Sequence, residues 1–106
     1  MKINFFWEGG EKKTPLLKGG EVRKIVRKVV RDLGIRGKEL NIIFCSSPYI
    51  KDLARRYLQK DYEPACLTFP FREKGFLGEI YINYHSLPHF PIAHLLEHAL
   101  KHFLRE

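Results

Sequence analysis

The sequence has few cysteines and no long apolar run. Among its 106 residues there are two cysteines, one methionine and one tryptophan. Cys45 and Cys66 both lie in apolar stretches, which argues against a disulfide framework and predicts buried thiols in a reducing compartment. No apolar segment approaches the roughly 20 residues that cross a membrane, and the apolar part of MKINFFWEGG is too short for a secretory signal. We therefore expect a cytoplasmic protein without a membrane partner.

Acidic residues are scarce relative to basic ones. Nineteen Lys and Arg residues stand against twelve Asp and Glu residues, which gives a formal net charge of +7. This excess favours polyanionic partners, nucleic acid before membranes, because cationic side chains attract phosphates and release their counterions. Charge alone supports a basic protein without such a partner equally well. With 44% hydrophobic and 29% charged residues, the chain is expected to form one globular domain over residues 1–106.

Hydrophobic periodicity predicts an α+β domain in which three main helices pack on a mixed sheet of about four strands. The expected order is strand, helix, strand, helix, two strands and a final helix. Strands are predicted at KINFFW, LNIIFC, CLTFPF and GEIYINY. The second is nearly all apolar and should be central, whereas Pro70 places the third at an edge of the sheet.

The first two predicted helices differ in what they expose. The first helix runs from Glu21 to a capping Gly34 and has one apolar face and one basic face. The basic residues of that face are Arg23, Lys24, Arg27, Lys28 and Arg31. The second helix is expected to begin with Ser47 as its N-cap and to bury Tyr57 and Leu58.

The stretch HLLEHALKH places three histidines four residues apart on the last predicted helix. The expected core stripe of this helix is Ile92, Leu95, Leu96, Ala99, Leu100 and Phe103. Rotation by about 100° per residue puts His102 beside the stripe, His98 on its flank and His94 mostly outward. Imidazoles one turn apart can bind one cation, whereas His94 and His102 are about 12 Å apart along the axis. The helix alone thus offers two ligands of one site, and a solvated polar flank is the alternative.

HLLEH also matches the inverted zincin pattern, in which Glu97 would act as a general base. Glu97 is expected to point to solvent, away from the side where His102 meets the core. So small a chain also leaves little room for a peptide cleft, so we rank a metallopeptidase last.

Three segments together resemble the YbeY family. YLQKDYEPACLTFPF is similar to the family segment Tyr-Arg-Gly-Lys-Asp-x-Pro-Thr-Asp-Val-Leu-Ser-Phe-Pro, and FLGEIYIN is similar to its Leu-Gly-Asp-Ile-x-Ile strand. AHLLEHALKH resembles the helix leading into the family motif His-Gly-x-Leu-His. The resemblance extends from residue 40 to residue 102. It implies a metal-dependent, single-strand-selective endoribonuclease of ribosomal RNA maturation, with ribosomal RNA and ribosomal proteins as partners.

The resemblance assigns metal binding to His98 and His102, with His94 as a further candidate in an alternative register. The implied cofactor is Zn²⁺ or another divalent cation. The family's third histidine follows the second by six residues, which corresponds to position 108, beyond Glu106. This pattern predicts a short family member of reduced activity. Candidates for the third ligand are Glu106, the terminal carboxylate, His85, His89 and a residue of another chain.

Other family positions supply the catalytic and RNA-binding candidates. Thr68 stands at the family serine and is a catalytic candidate, while Lys60 keeps its place and is an RNA-binding candidate. Leu58 stands at the family arginine, so Arg55 or Arg56 is expected to supply that charge, with a solvated surface role as the alternative. Further candidates for phosphate contacts on the first helix are Arg23, Arg27 and Arg31.

Two functions of different classes therefore remain open. One is the endoribonuclease, in which Tyr57 or Tyr62 would stack a base of single-stranded RNA. The other is a non-catalytic RNA- or ribosome-binding domain that retains the fold. Bound metal distinguishes them, because only the nuclease needs the cation held by His98 and His102.

Overall fold

The computed structural model describes residues 1–9, 19–87 and 91–104, apart from the side chains of Arg72 and Leu104. The strands are β1 (Lys2–Glu8), β2 (Glu39–Cys45), β3 (Cys66–Glu73) and β4 (Phe76–Asn83), and the helices are α1 (Gly19–Leu33), α2 (Ser47–Leu53) and α3 (Ile92–Lys101). A π-helical turn, Ala54–Leu58, continues α2, and 3₁₀ turns follow β4 and α3 at Tyr84–Ser86 and His102–Leu104. No helix among the described residues is long and apolar enough to cross a membrane.

The four strands form one mixed sheet in the order β1-β2-β4-β3. β1, β2 and β4 are parallel, and β3 pairs antiparallel with β4. The predicted α+β class and element order are confirmed. β2 lies inside the sheet and β3, with Pro70, lies at an edge, as the apolar run and the proline indicated.

Side-chain alternation along the strands divides the core between the two faces of the sheet. α1 and α3 pack on one face, where they meet Ile42 of β2. α2 packs on the other face, where it meets Cys45 and Leu67. On β3, Leu67 therefore faces α2, and its neighbours Cys66 and Thr68 face α3. This division matters because β3 is the edge at which the two faces meet.

The first and last helices follow their predicted patterns. α1 buries Val22 and Val26 and ends just before Gly34, whose φ is +69°. It begins at Gly19, two residues before the predicted Glu21. Each residue of the predicted α3 stripe is buried: Ile92, Leu95, Leu96, Ala99, Leu100 and Phe103.

Two predictions for the second helix were wrong. The N-cap is Ser46, not Ser47, and its hydroxyl accepts a hydrogen bond from the Tyr49 backbone N–H at 3.4 Å. Tyr57 and Leu58 are 63% and 41% exposed, not buried. The π-helical turn explains this, because its wider hydrogen-bonding pattern rotates each residue less and breaks the 3.6-residue period.

The π-helical turn ends in a strained residue, Gln59, whose φ is 55°. A left-handed backbone costs a non-glycine residue about 1–2 kcal/mol. Glycine avoids this cost, but it loses more conformational entropy on folding, which offsets part of the gain. We therefore expect Gln59→Gly to raise the free energy of unfolding by about 0.5–1 kcal/mol in urea denaturation. The matched control is Arg55→Gly, within the same turn, which should lower it by about 1 kcal/mol. A Gln59→Gly variant less stable than the parent would contradict the strain argument.

Candidate active site

The two histidines at the end of α3 lie side by side. The ring centroids of His98 and His102 are 5.2 Å apart and their planes meet at 86°. His98 is exposed and His102 is half-buried, which agrees with their predicted positions relative to the core stripe. Two imidazoles that bind one tetrahedral zinc at about 2.1 Å have centroids roughly 5 Å apart. The observed spacing therefore fits shared coordination of one cation.

Both histidines line a cavity of about 390 Å³, which we call the histidine cavity. Its lining residues are Leu58, Tyr62, Cys66, Leu67, Thr68, His98 and His102. The cavity lies at the β3 edge of the sheet, so both faces contribute to its walls. Leu67 comes from the α2 side, while Cys66 and Thr68 come from the α3 side. Leu58, at the end of the π-helical turn, adds an apolar wall.

Thr68 connects β3 to the helix that carries the histidines. Its hydroxyl donates a hydrogen bond to the Ala99 backbone carbonyl at 3.3 Å. Ala99 lies between His98 and the end of α3, so this bond holds both imidazoles against the edge strand. Thr68 thus belongs to the cavity wall, as a positioning residue.

A second cavity of about 330 Å³ adjoins the first, and we call it the adjoining cavity. Its lining residues are Tyr62, Pro64, Ala65, Cys66, His94, Leu95 and His98. It shares Tyr62, Cys66 and His98 with the histidine cavity, whereas His94 lines only the adjoining cavity. His94 and His102 thus line different cavities, and His98 lines both. No sequence pattern indicated this cavity, because its wall depends on how the loop before β3 folds.

Asn83 holds that loop in place. Asn83 is 2% exposed, and its Nδ2 donates to the Pro64 carbonyl at 3.4 Å. Its backbone N–H donates to the Ala65 carbonyl at 2.9 Å. The amide oxygen accepts from the Ser47 hydroxyl at 3.2 Å and from the His85 N–H at 3.0 Å. The backbone and side chain of Asn83 together therefore fix the wall of the adjoining cavity to the end of β4.

The basic candidates near α2 lie outside both cavities. Arg56 pairs with Asp52, at 3.0 Å between Nε and Oδ2, and its guanidinium carbon lies 5.8 Å from the centroid of the Tyr57 ring. Arg55 and Lys60 are exposed. None of these three cations lines the histidine cavity. Their assignment to catalysis or RNA binding stays a prediction.

The basic face of α1 is exposed and partly neutralised. Arg23 lies over the Phe5 ring, 4.9 Å from its centroid. Asp32 pairs with Lys28 at 3.9 Å and with Arg31 at 3.8 Å. Arg27, on the same face, is exposed and makes no ion pair with another described residue. This face is open to a polyanion, although one carboxylate offsets part of its charge.

Glu97 points away from the histidine cavity, as expected. Its carboxylate pairs with the Lys101 ammonium at 3.2 Å. Its side chain borders a groove between α1 and α3, together with Ile25 and Val29. This arrangement gives no support to the inverted zincin hypothesis.

A third protein ligand is absent from the part of the chain that the structure describes. Within residues 1–9, 19–87 and 91–104, no three His, Cys, Asp or Glu residues are arranged to hold a metal ion. His85 is exposed and contacts the Tyr84 ring, with centroids 6.2 Å apart. His89 and Glu106 lie outside the described residues.

Burial disfavours the thiolate form of both cysteines. Burial raises the pKa of the Cys66 thiol, which lines both cavities. Burial and then the charge of Glu8 raise the pKa of Cys45 to about 12, and its Sγ donates to the Ile82 carbonyl at 3.5 Å. Both cysteines are free; Cys45 is buried as predicted, whereas Cys66 is only half-buried.

An α+β domain with paired histidines at an open sheet edge is the class that this geometry defines, and comparison with known proteins gives the family. Residues 11–104 match the family model described as Endoribonuclease YbeY. The chain belongs to this family. It is 32% identical over 84 residues to the endoribonuclease YbeY of Bacteroides thetaiotaomicron and 33% identical over 84 residues to that of Bacteroides fragilis.

These relatives are longer than the chain. The matches cover 78% of this chain but 60% and 59% of the two relatives. The solution structure of TM1509 from Thermotoga maritima superposes with a TM-score of 0.52 at 22% identity, covering 96% of this chain and 69% of that protein. The fold is therefore shared well beyond the aligned motifs.

Proposed function

We propose that the chain is a metal-dependent endoribonuclease that cleaves single-stranded RNA, with ribosomal RNA as its substrate. The observation that carries this proposal is the histidine pair, 5.2 Å apart, in the wall of a cavity in a member of the endoribonuclease YbeY family. The relatives that it resembles carry the name of this activity.

In this proposal His98 and His102 hold a divalent cation. Imidazole nitrogens are borderline ligands that suit zinc better than magnesium or calcium, which prefer oxygen. A cation bound there would supply Lewis acidity that polarises a phosphoryl oxygen of the substrate. A further ligand would come from outside the described residues, where His89 and Glu106 lie, or from another chain.

The chain's own residues orient the substrate and limit water around it. Thr68 keeps the histidines against β3 through its bond to Ala99. Leu58 and Leu67 give the histidine cavity apolar walls, which strengthen electrostatic interactions inside it because they displace water. Arg55, Arg56 and Lys60 lie outside the cavity and would contact the RNA backbone as it leaves.

The size and position of the cavity favour a single strand over a duplex. The cavity is about 390 Å³ and lies at a sheet edge between the π-helical turn and α3. A flexible single strand can bend one phosphate into such a hollow, whereas a stacked A-form helix holds its phosphates on a rigid surface. The remaining phosphates would contact the basic face of α1, in particular Arg23, Arg27 and Arg31. Ribosomal proteins beside the cleaved site would be further partners.

A second candidate function is a non-catalytic RNA-binding domain. One observation favours it: the described residues contain no cluster of three metal ligands, and catalytic zinc sites usually have three protein ligands. The basic surface would then bind RNA without cleaving it.

Metal removal tests the proposed function. We expect zinc-loaded protein to cleave single-stranded ribosomal RNA fragments, and chelation to reduce the cleavage rate at least about a hundredfold, because the cation contributes several kcal/mol to the transition state. Adding zinc back should restore the rate, and a duplex of the same sequence should stay intact. The measurement is single-turnover cleavage on a denaturing gel.

Two results would contradict the proposed metal-dependent cleavage. Cleavage that survives chelation would exclude the metal mechanism. Binding of RNA without any cleavage by zinc-loaded protein would favour the non-catalytic domain.

A further inference from the structure

We infer that the adjoining cavity is a nucleobase subsite: it binds the base next to the phosphate that the histidine cavity holds. This inference rests on the proposed function, because it takes single-stranded RNA as the ligand. It adds a site that determines how the substrate is positioned, with Tyr62 as its stacking residue.

The first argument is continuity between the two cavities. They share Tyr62, Cys66 and His98 as common walls. One ligand can therefore occupy both cavities if it has two parts joined by a short link. A nucleotide chain has this form, because each phosphate is joined to a base by one sugar.

The second argument is the chemistry of the lining. Pro64, Ala65 and Leu95 make one part of the adjoining cavity apolar, and His94 adds a nitrogen-bearing ring. A nucleobase combines an apolar face with a polar edge, so it matches both parts. The volume of about 330 Å³ is at the small end of ligand sites, which span roughly 300–1,000 Å³. The space is large enough for one base.

The third argument is that the wall is built before any ligand binds. Asn83 is buried and fixes the carbonyls of Pro64 and Ala65 at 3.4 Å and 2.9 Å. α3 provides the opposite wall through Leu95, which is 4% exposed. A preformed site loses less conformational entropy on binding than one that must be ordered.

The fourth argument separates the two tyrosines of this region. The Tyr57 ring already packs edge-on against Phe69, with centroids 5.7 Å apart, and Arg56 lies over it. Tyr62 is 42% exposed, and with the other described residues it makes no ring contact and no hydrogen bond. Of these two tyrosines, only Tyr62 lines the cavities. Tyr62 is therefore the residue with an aromatic surface available to a base.

Binding of two matched probes tests this subsite. The probes are a fluorescently labelled oligouridine and an abasic ribose-phosphate chain of equal length, titrated with the full chain under chelation so that neither is cleaved. We expect Tyr62→Ala to weaken oligouridine binding about tenfold, because stacking on an aromatic residue contributes about 1–3 kcal/mol per base. The same variant should bind the abasic chain as the parent does. Tyr62→Phe should bind both probes within about twofold of the parent.

Tyr57→Ala is the matched control, since it removes an exposed tyrosine five positions away that lines neither cavity. It should leave the ratio between the two probes unchanged. The inference is overturned if Tyr62→Ala binds oligouridine as well as the parent does, or if it weakens both probes equally. The zinc-dependent cleavage assay reports separately on the proposed function. Base-dependent binding through Tyr62 without any cleavage would contradict the nuclease proposal and support the subsite. Zinc-dependent cleavage without an effect of Tyr62→Ala on oligouridine binding would support the nuclease and contradict the subsite.

Discussion

Replacing His98 and His102 together with alanine is expected to remove bound zinc and to lower single-stranded RNA cleavage by at least about a thousandfold. Their rings are 5.2 Å apart in one cavity wall, so the double variant deletes both imidazoles of the proposed site. Each single variant leaves one imidazole and should lose most of its zinc, since one such ligand holds the ion weakly. The measurements are metal content by elemental analysis and single-turnover cleavage rates.

His94→Ala is the matched control for metal content, because His94 lies one turn earlier on α3 and lines the adjoining cavity instead. It should keep its zinc. Loss of zinc from this variant would indicate the alternative register, in which His94 and His98 are the ligands. Stoichiometric zinc in the double variant would refute the proposed site. Because His98 is exposed and His102 half-buried, thermal unfolding should show that the double variant still folds.

Periodicity was enough to predict the fold and the positions of the histidines. Alternation and apolar runs gave the four strands, and Pro70 identified the edge strand because proline cannot donate to a ladder. The regular stripe of α3 fixed its rotation, so the greater burial of His102 relative to the exposed His94 and His98 followed from 100° per residue. These features depend on local sequence, and the structure agrees with them.

The cavities depend on features that no local pattern reports. The π-helical turn after α2 turned Leu58 toward the edge strand, although the 3.6-residue pattern placed it in the core. The adjoining cavity exists because Asn83 holds Pro64 and Ala65, a contact between residues 19 positions apart in the chain. The sequence offers both Tyr57 and Tyr62 as stacking candidates, and tertiary packing distinguishes them, because only Tyr62 lines the cavities. Local sequence thus predicts which side chains of a helix point away from the core, whereas tertiary contacts determine which residues surround those side chains.

Gly78→Ala is expected to lower the free energy of unfolding by about 3 kcal/mol. Gly78 lies in β4 opposite Pro70 of β3 and has a φ of +140°, which side chains rarely allow. A Cβ at this position would overlap the Phe69 carbonyl oxygen and lie 2.9 Å from the Pro70 Cα. Because both neighbours are backbone atoms, β3 must shift, and backbone strain and steric overlap each cost about 1–3 kcal/mol.

The same shift should reach the proposed site, because Thr68 on β3 bonds to Ala99 on the helix that carries the histidines. Zinc affinity should therefore fall in Gly78→Ala even where the protein is still folded. The matched control is Gly20→Ala in α1, where an added Cβ meets no atom within 4 Å and alanine favours the helix by up to about 1 kcal/mol. Urea denaturation of the parent and the two glycine variants measures both changes in the free energy of unfolding, and zinc titration of the folded proteins measures the affinity. A Gly78→Ala variant as stable as the parent would contradict the predicted overlap with β3. Unchanged zinc affinity in a destabilised variant would show that the histidines do not depend on the edge strand for their position.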